Sequence, residues 1–246
     1  LHEVGHQFGA THTYAYDPEP FGVSSEPGSG STIMSYAGFV SGENMQRHSD
    51  PYFHYHSIQD VESYVDNVSC HSNVNSLNQK PTVNAGEDFY IPKGTAYYLK
   101  ANAFDSDNDN LTYCWEQLDS GQVNASNFGP DLLTGSINRS IPPSENQTRN
   151  IPNISQILNG NLVSSNPTLF SSWETVSNVE RTLTWGVTVR DRSESNPNGM
   201  GQISQDVKKI FVTETAGPFR IVSNDSTDIV WKSGSNQKII WDVANT

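Results

Sequence analysis

The spacing of apolar residues changes period along the chain, and the changes mark its elements. Through residues 56–68, Ile58, Val61, Tyr64, Val65 and Val68 recur at helical spacing. This predicts one amphipathic helix, with Ser57 as its N-cap. Residues 71–80 are polar and read as a linker. From Pro81 the period shortens. Ala96–Leu99, Leu111–Gln117, Thr182–Val189 and Asp206–Thr213 read as short strands rich in aromatic and β-branched residues. Between the second and third of these lies a long stretch, residues 120–172, containing Pro142, Pro143 and Pro152. Within it, Ile154–Leu158 predicts one helical turn. So long a connection is expected to pack on the strands or to carry part of a binding surface. After Gly217, Phe219–Val222 and Lys238–Val243 are again strand-like. Two or three strands leave an open edge, so this last piece is expected to lean on its neighbour.

The chain of 246 residues therefore reads as residues 1–70, a linker at 71–80, a β-rich unit at 81–215 and an incomplete β module at 216–246. The expected fold class is multidomain α+β. A formal net charge of −13 argues against nucleic acid and against anionic membrane surfaces as partners. No apolar run approaches the ~20 residues that span a bilayer. Nothing in the sequence fixes an oligomeric state. Cys70 and Cys114 leave two alternatives: a pair, or a buried thiol at Cys114 with Cys70 bonded elsewhere.

Chemistry concentrates in the first twelve residues. Leu-His-Glu-Val-Gly-His-Gln-Phe-Gly-Ala-Thr-His places His2, Glu3, His6, Gly9 and His12 in the pattern H-E-x-x-H-x-x-G-x-x-H. Residues four apart share a helix face, so His2 and His6 can address one metal ion. Glu3 projects beside that ion and can take a proton from an attacking water. Gly9 can adopt a left-handed conformation and end the helix, letting His12 return as a third ligand. Ordinary residue frequencies give a chance match on the order of once in 10⁵ chains of this length. An accidental or purely structural histidine cluster is the lesser alternative.

Downstream, residues 31–38 read Ser-Thr-Ile-Met-Ser-Tyr-Ala-Gly. With the long histidine motif, this resembles the metzincin zinc metallopeptidases, in which a Met-turn lies beneath the ligands. Met34 would be the Met-turn residue, apolar and suited to packing rather than to coordination. The stretch from Glu26 to Gly38, with Ser49-Asp50-Pro51-Tyr52-Phe53-His54, resembles secreted bacterial reprolysin-like enzymes of the Bacteroidetes type. That resemblance implies a secreted, extracellular or cell-surface zinc endopeptidase acting on protein or peptide substrates. It implies the C-terminal part of a catalytic domain in residues 1–70. A substrate-binding half is expected upstream of Leu1, so the chain is expected to be a fragment with little activity alone. Tyr36, two residues after Met34, matches a tyrosine that in some metzincin branches reaches the metal or the transition state. The alternative is a hydroxyl that only hydrogen-bonds nearby backbone.

In the β-rich unit, Asn84–Asp88 and Asp105–Trp115 resemble bacterial immunoglobulin-like domains of the PKD or cadherin-like kind. Trp115 would be a core aromatic of that sandwich. Asp105, Asp107 and Asp109 alternate with Ser and Asn, a spacing that can hold Ca²⁺ or simply form an acidic turn bonded to its own backbone. His48, His54 and His56 match no metal motif and are expected to be exposed or packed. Against the zinc endopeptidase stands a second function: an extracellular binding or adhesion protein whose β-sandwiches do the work beside an inert peptidase remnant. An intact Glu3 weighs against it.

Overall fold

The computed structural model describes residues 1–70, 72, 77–192, 200–223 and 229–244. Among these the chain is mostly β. Its helices are α1 (His2–Gln7), α2 (Tyr55–Asn67) and α3 (Ile154–Leu158). Its strands are β1 (Thr82–Asn84), β2 (Phe89–Pro92), β3 (Tyr97–Lys100), β4 (Asn102–Phe104), β5 (Asn110–Gln117), β6 (Thr148–Ile151), β7 (Arg181–Arg192), β8 (Ile203–Thr213), β9 (Arg220–Ile221) and β10 (Trp241–Asp242).

A four-stranded sheet in the order β2-β8-β7-β5 forms the body, with β2 parallel to β8 and the other neighbours antiparallel. Alternation along β7 puts Leu183, Trp185, Val187 and Val189 on one face, all buried. They form one core with Ile210 and Val212 of β8, Trp115 of β5, and Tyr97, Leu99 and Ile151 from the separate pair β3–β6. The two layers thus close on a common apolar interior. Both indoles keep their N–H groups satisfied: Trp185 Nε1 donates to the Tyr97 hydroxyl at 3.1 Å and Trp115 Nε1 to Gln147 O at 3.2 Å.

Helix α2 lies against the same sheet. At Gly186 of β7 a Cβ would stand 2.6 Å from Cδ2 of Tyr55, so glycine is what lets the first residue of α2 rest on the strand. Tyr55 N donates to Glu116 Oε2 at 2.8 Å, and Gln205 Nε2 donates to Tyr55 O at 3.1 Å. The helix cap differs from expectation. His54, not Ser57, is the N-cap, its Nδ1 accepting from His56 N at 3.3 Å. Ser57 lies inside the first turn, buried, with no partner for its hydroxyl among the described residues. The side chain nearest the first free N–H won the cap, although histidine is not a favoured capping type.

Residues 120–172 pack on the N-terminal part of the chain. Val123, Phe128, Ile137 and Trp173 share a core with Ala15 and Met45. Gly28 N donates to Val123 O at 2.8 Å and Val123 N to Ala15 O at 2.9 Å. Helix α3 coincides with the predicted turn and is capped by Asn153, whose side chain accepts from Gln156 N. Packing therefore crosses the expected linker at 71–80. Cys114 is buried, Cys70 is exposed, and both are free thiols. The strand-like signals after Gly217 shrink to two short strands, β9 and β10, paired antiparallel.

Candidate metal centre

Helix α1 is a turn and a half long and buries only Gly5. Met34 and Phe53 lie against it there, in a small core with Ala10, Ile33 and Val61. Met34 is fully buried. The helix stops at Phe8, and Gly9 follows at φ 85°, a left-handed angle that glycine adopts without strain. The chain then turns back to His12.

His2, His6 and His12 converge. Their ring nitrogens lie within 4.8 Å of one another. His2 Nε2 is 3.3 Å from His12 Nε2, and His6 Nε2 is 3.1 Å from the same atom. The opposite nitrogen of each ring is committed. His2 Nδ1 donates to Ile33 O at 2.7 Å, His6 Nδ1 to Ala10 O at 2.8 Å, and His12 Nδ1 to Glu19 Oε2 at 2.7 Å. A carbonyl or carboxylate oxygen only accepts, so each Nδ1 carries the hydrogen. In the neutral rings every Nε2 is then a bare lone pair, and three lone pairs face one another. A cation between them removes that repulsion. A tetrahedral ion with metal–nitrogen bonds of about 2.0–2.1 Å separates its ligand nitrogens by about 3.3 Å. The donor set and its spacing fit zinc.

Glu3 is exposed and lines a cavity of about 510 Å³ together with His2, Ile33, Tyr36, Phe39 and Asp50. The ring of Tyr36 sits 4.6 Å from that of His12 and 5.8 Å from that of His2. Burial, then the nearby carboxylates of Glu19 and Glu3, raise the Tyr36 pKa, so its hydroxyl is neutral at neutral pH.

Two carboxylates organise the surroundings that the sequence patterns did not single out. Glu26 is 1% exposed. It accepts from Thr13 Oγ1 and Thr32 Oγ1, both at 2.6 Å, and from Ser31 N at 2.9 Å and Thr32 N at 3.2 Å. It thereby ties the residue after His12 to the segment that carries Met34. Glu19 meets His12 from outside, and its other oxygen accepts from the Tyr14 hydroxyl. That bond leads the causes that lower the Glu19 pKa, followed after an opposing desolvation effect by the bond from His12. Neither residue belongs to a spacing motif. For Glu19 the sequence signal is an acid between two prolines, Pro18-Glu19-Pro20, and Glu26 opens the stretch to Gly38 that carries the resemblance.

Away from this centre, Asp105, Asp107 and Asp109 also bring carboxylate oxygens within 4.8 Å of one another. Asp105 Oδ1 accepts from Asp107 N at 2.8 Å and Asp109 N at 3.2 Å, which is the acidic-turn arrangement. Oδ2 of Asp105 and of Asp109 are buried with no partner among the described residues. His48 is exposed, and His54 and His56 are packed without a metal grouping among the described residues.

Residues 1–64 match the family described as Metallo-peptidase family M12B Reprolysin-like, a family of zinc-dependent peptidases. No curated protein and no solved structure matches the chain. Among the described residues no helix is long and apolar enough to cross a membrane.

Proposed function

We propose that the chain carries the zinc site of a secreted metzincin endopeptidase, with His2, His6 and His12 as ligands and Glu3 as general base. One observation carries this reading: three Nε2 lone pairs converge while every Nδ1 is engaged elsewhere. The family match over residues 1–64 supports the peptidase class and a protein or peptide substrate. Bound at these nitrogens, zinc would supply Lewis acidity, polarising a peptide carbonyl and lowering the pKa of water to about 7.

The chain's own groups do the rest. Each histidine is oriented by its Nδ1 partner, which keeps the hydrogen on Nδ1 and leaves Nε2 for the metal. Glu3, in the same cleft as His2, accepts the proton of the attacking water and returns it to the leaving amine. Tyr36, in ring contact with His2 and His12, would serve as a hydrogen-bond donor to negative charge developing on the carbonyl oxygen. Met34 fills the Met-turn position, supporting the ligand helix from below. The two-layered β body supports the reading of an immunoglobulin-like sandwich, and an Asn-, Ser- and Gly-rich, Lys-poor composition supports export.

The test joins zinc stoichiometry with one substitution. The chain is expected to bind one zinc, and Glu3→Gln is expected to keep that zinc. In whatever form of the protein cleaves a quenched peptide in a zinc-dependent manner, the same change is expected to remove at least about 10²-fold of the rate. Near-normal turnover by Glu3→Gln would exclude the general-base role.

For the acidic turn, the orphaned oxygens of Asp105 and Asp109 favour a calcium ion over the turn alone, because two buried acceptors without donors are left unexplained by it. Calcium titration of the whole chain by calorimetry is expected to show one site lost in Asp105→Asn. No heat and no thermal stabilisation at millimolar calcium would leave only the turn.

A further inference from the structure

The three candidate ligands are not held in the same way. His2 and His6 rest on backbone carbonyls, Ile33 O and Ala10 O, which persist whatever the side chain. His12 depends on a side chain, Glu19. The loop between them is built to present that carboxylate. Val23 N donates to His12 O at 3.0 Å, closing residues 12–23 on themselves. Gly22 N donates to Glu19 O at 3.1 Å. Pro18 and Pro20 fix φ on either side of Glu19. Tyr14, buried, stacks on His12 at 5.1 Å between ring centroids, and its hydroxyl donates a hydrogen bond to the second oxygen of Glu19. Each oxygen of one carboxylate therefore has its own donor.

We propose that Glu19 is the positioning residue of the metal centre: held by Tyr14, it fixes the orientation and tautomer of His12 and so sets the affinity for zinc. The proposal rests on the zinc reading above. Its physical basis is direct. With Nδ1–H held by a carboxylate, the lone pair is confined to Nε2 and aimed at the other two rings, and the carboxylate makes that nitrogen a stronger donor than a carbonyl partner would. Without Glu19, His12 can carry its hydrogen on Nε2 and present no lone pair to the metal.

Zinc affinity of the whole chain, read by competition with a chromophoric chelator, tests this in Glu19→Ala, Glu19→Gln and Tyr14→Phe. Glu19→Ala is expected to weaken zinc by about 10–100-fold. Glu19→Gln is expected to recover part of that loss, because its amide oxygen still accepts from Nδ1. Tyr14→Phe is expected to lose less than Glu19→Ala. The side chain of Glu19 is 43% exposed, so the metal-free melting temperature of its variants is expected to stay near that of the parent. The visible spectrum of the cobalt-loaded chain is expected to shift in Glu19→Ala, reporting altered ligation. Zinc affinity within twofold of the parent in both Glu19 variants, with an unchanged cobalt spectrum, overturns the proposal and leaves the zinc site standing. A lowered metal-free melting temperature at unchanged affinity also overturns it, in favour of a purely structural loop contact. Failure of the parent itself to bind zinc, or binding indifferent to His2→Ala, overturns the zinc reading as well.

Discussion

Gly5 and Met34 share one space. A Cβ on Gly5 would run into the Met34 sulfur, and would stand 3.2 Å from Met34 Cε and from Phe53 Cε1. Gly5 lies between the two histidines of α1, so this contact sets the height of both rings above Met34. Gly5→Ala must push helix and sulfur apart. Overpacking of this kind costs about 1–3 kcal/mol. We expect a loss of that size in denaturant unfolding and a weaker zinc affinity, whereas Met34→Leu, close in volume, is expected to change either by little.

Glu26 is the acceptor on which two loops meet. Glu26→Ala leaves the donors of Thr13, Ser31 and Thr32 buried without a partner. Each such loss costs about 1–3 kcal/mol, so a total of at least about 3 kcal/mol is expected from equilibrium unfolding. Glu26→Gln keeps one oxygen but turns an amide N–H₂ toward donors, and is expected to recover only part of it. A stability within 1 kcal/mol of the parent for Glu26→Ala, a limit set at the low end of the cost of one buried unsatisfied group, would show that water replaces the carboxylate.

Trp173 links the stretch before β7 to the loop of His12. It is fully buried, packs on Phe128 at 5.3 Å between ring centroids, and approaches Gly28 so closely that a Cβ there would lie 2.7 Å from the indole. Trp173→Ala is expected to destabilise the chain by about 3–5 kcal/mol. Zinc affinity is expected to fall with it, since Gly28, against Trp173, accepts from Ala15 N at 3.2 Å and Ala15 follows His12 by three residues. Normal affinity in a folded Trp173→Ala protein would show that residues 120–178 do not support the metal centre.

His56 gives stability a pH dependence. Burial, reinforced by the neighbouring His54, lowers its pKa from 6.5 to about 4. The unfolded chain therefore takes up a proton at higher pH than the folded one. Stability is complete above about 6.5 and falls as the pH drops toward about 4, by roughly 3 kcal/mol at the limit. Unfolding free energies at pH 7.5 and pH 4.5 are expected to differ less in His56→Gln than in the parent. An equal difference in both would assign the acid sensitivity to carboxylates.

Much of this molecule was legible in the sequence because it is local. Periodicity in residues 56–68 reflects one helix face, and alternation in β7 reflects one sheet face, so both elements appear close to their predicted positions. The histidine pattern is legible for the same reason: i, i+4 spacing and a glycine that breaks the helix are properties of a few adjacent residues. The cap of α2 is His54 rather than the expected Ser57, because the extended backbone that precedes the helix lies at His54 (ψ 156°) and Ser57 already falls inside the first turn.

What the sequence could not carry was everything that depends on contact between distant residues. Glu19 and Glu26 belong to no motif, and only folding brings them to His12 and to the segment of Met34. The partnership of Ala15 with Val123 and Trp173, and of Met45 with Trp173, crosses more than a hundred residues of chain. An apolar side chain carries in its sequence the need to be buried but not the identity of its partner. That choice is made when two surfaces of matching shape exclude water between them, and it exists only in the tertiary structure.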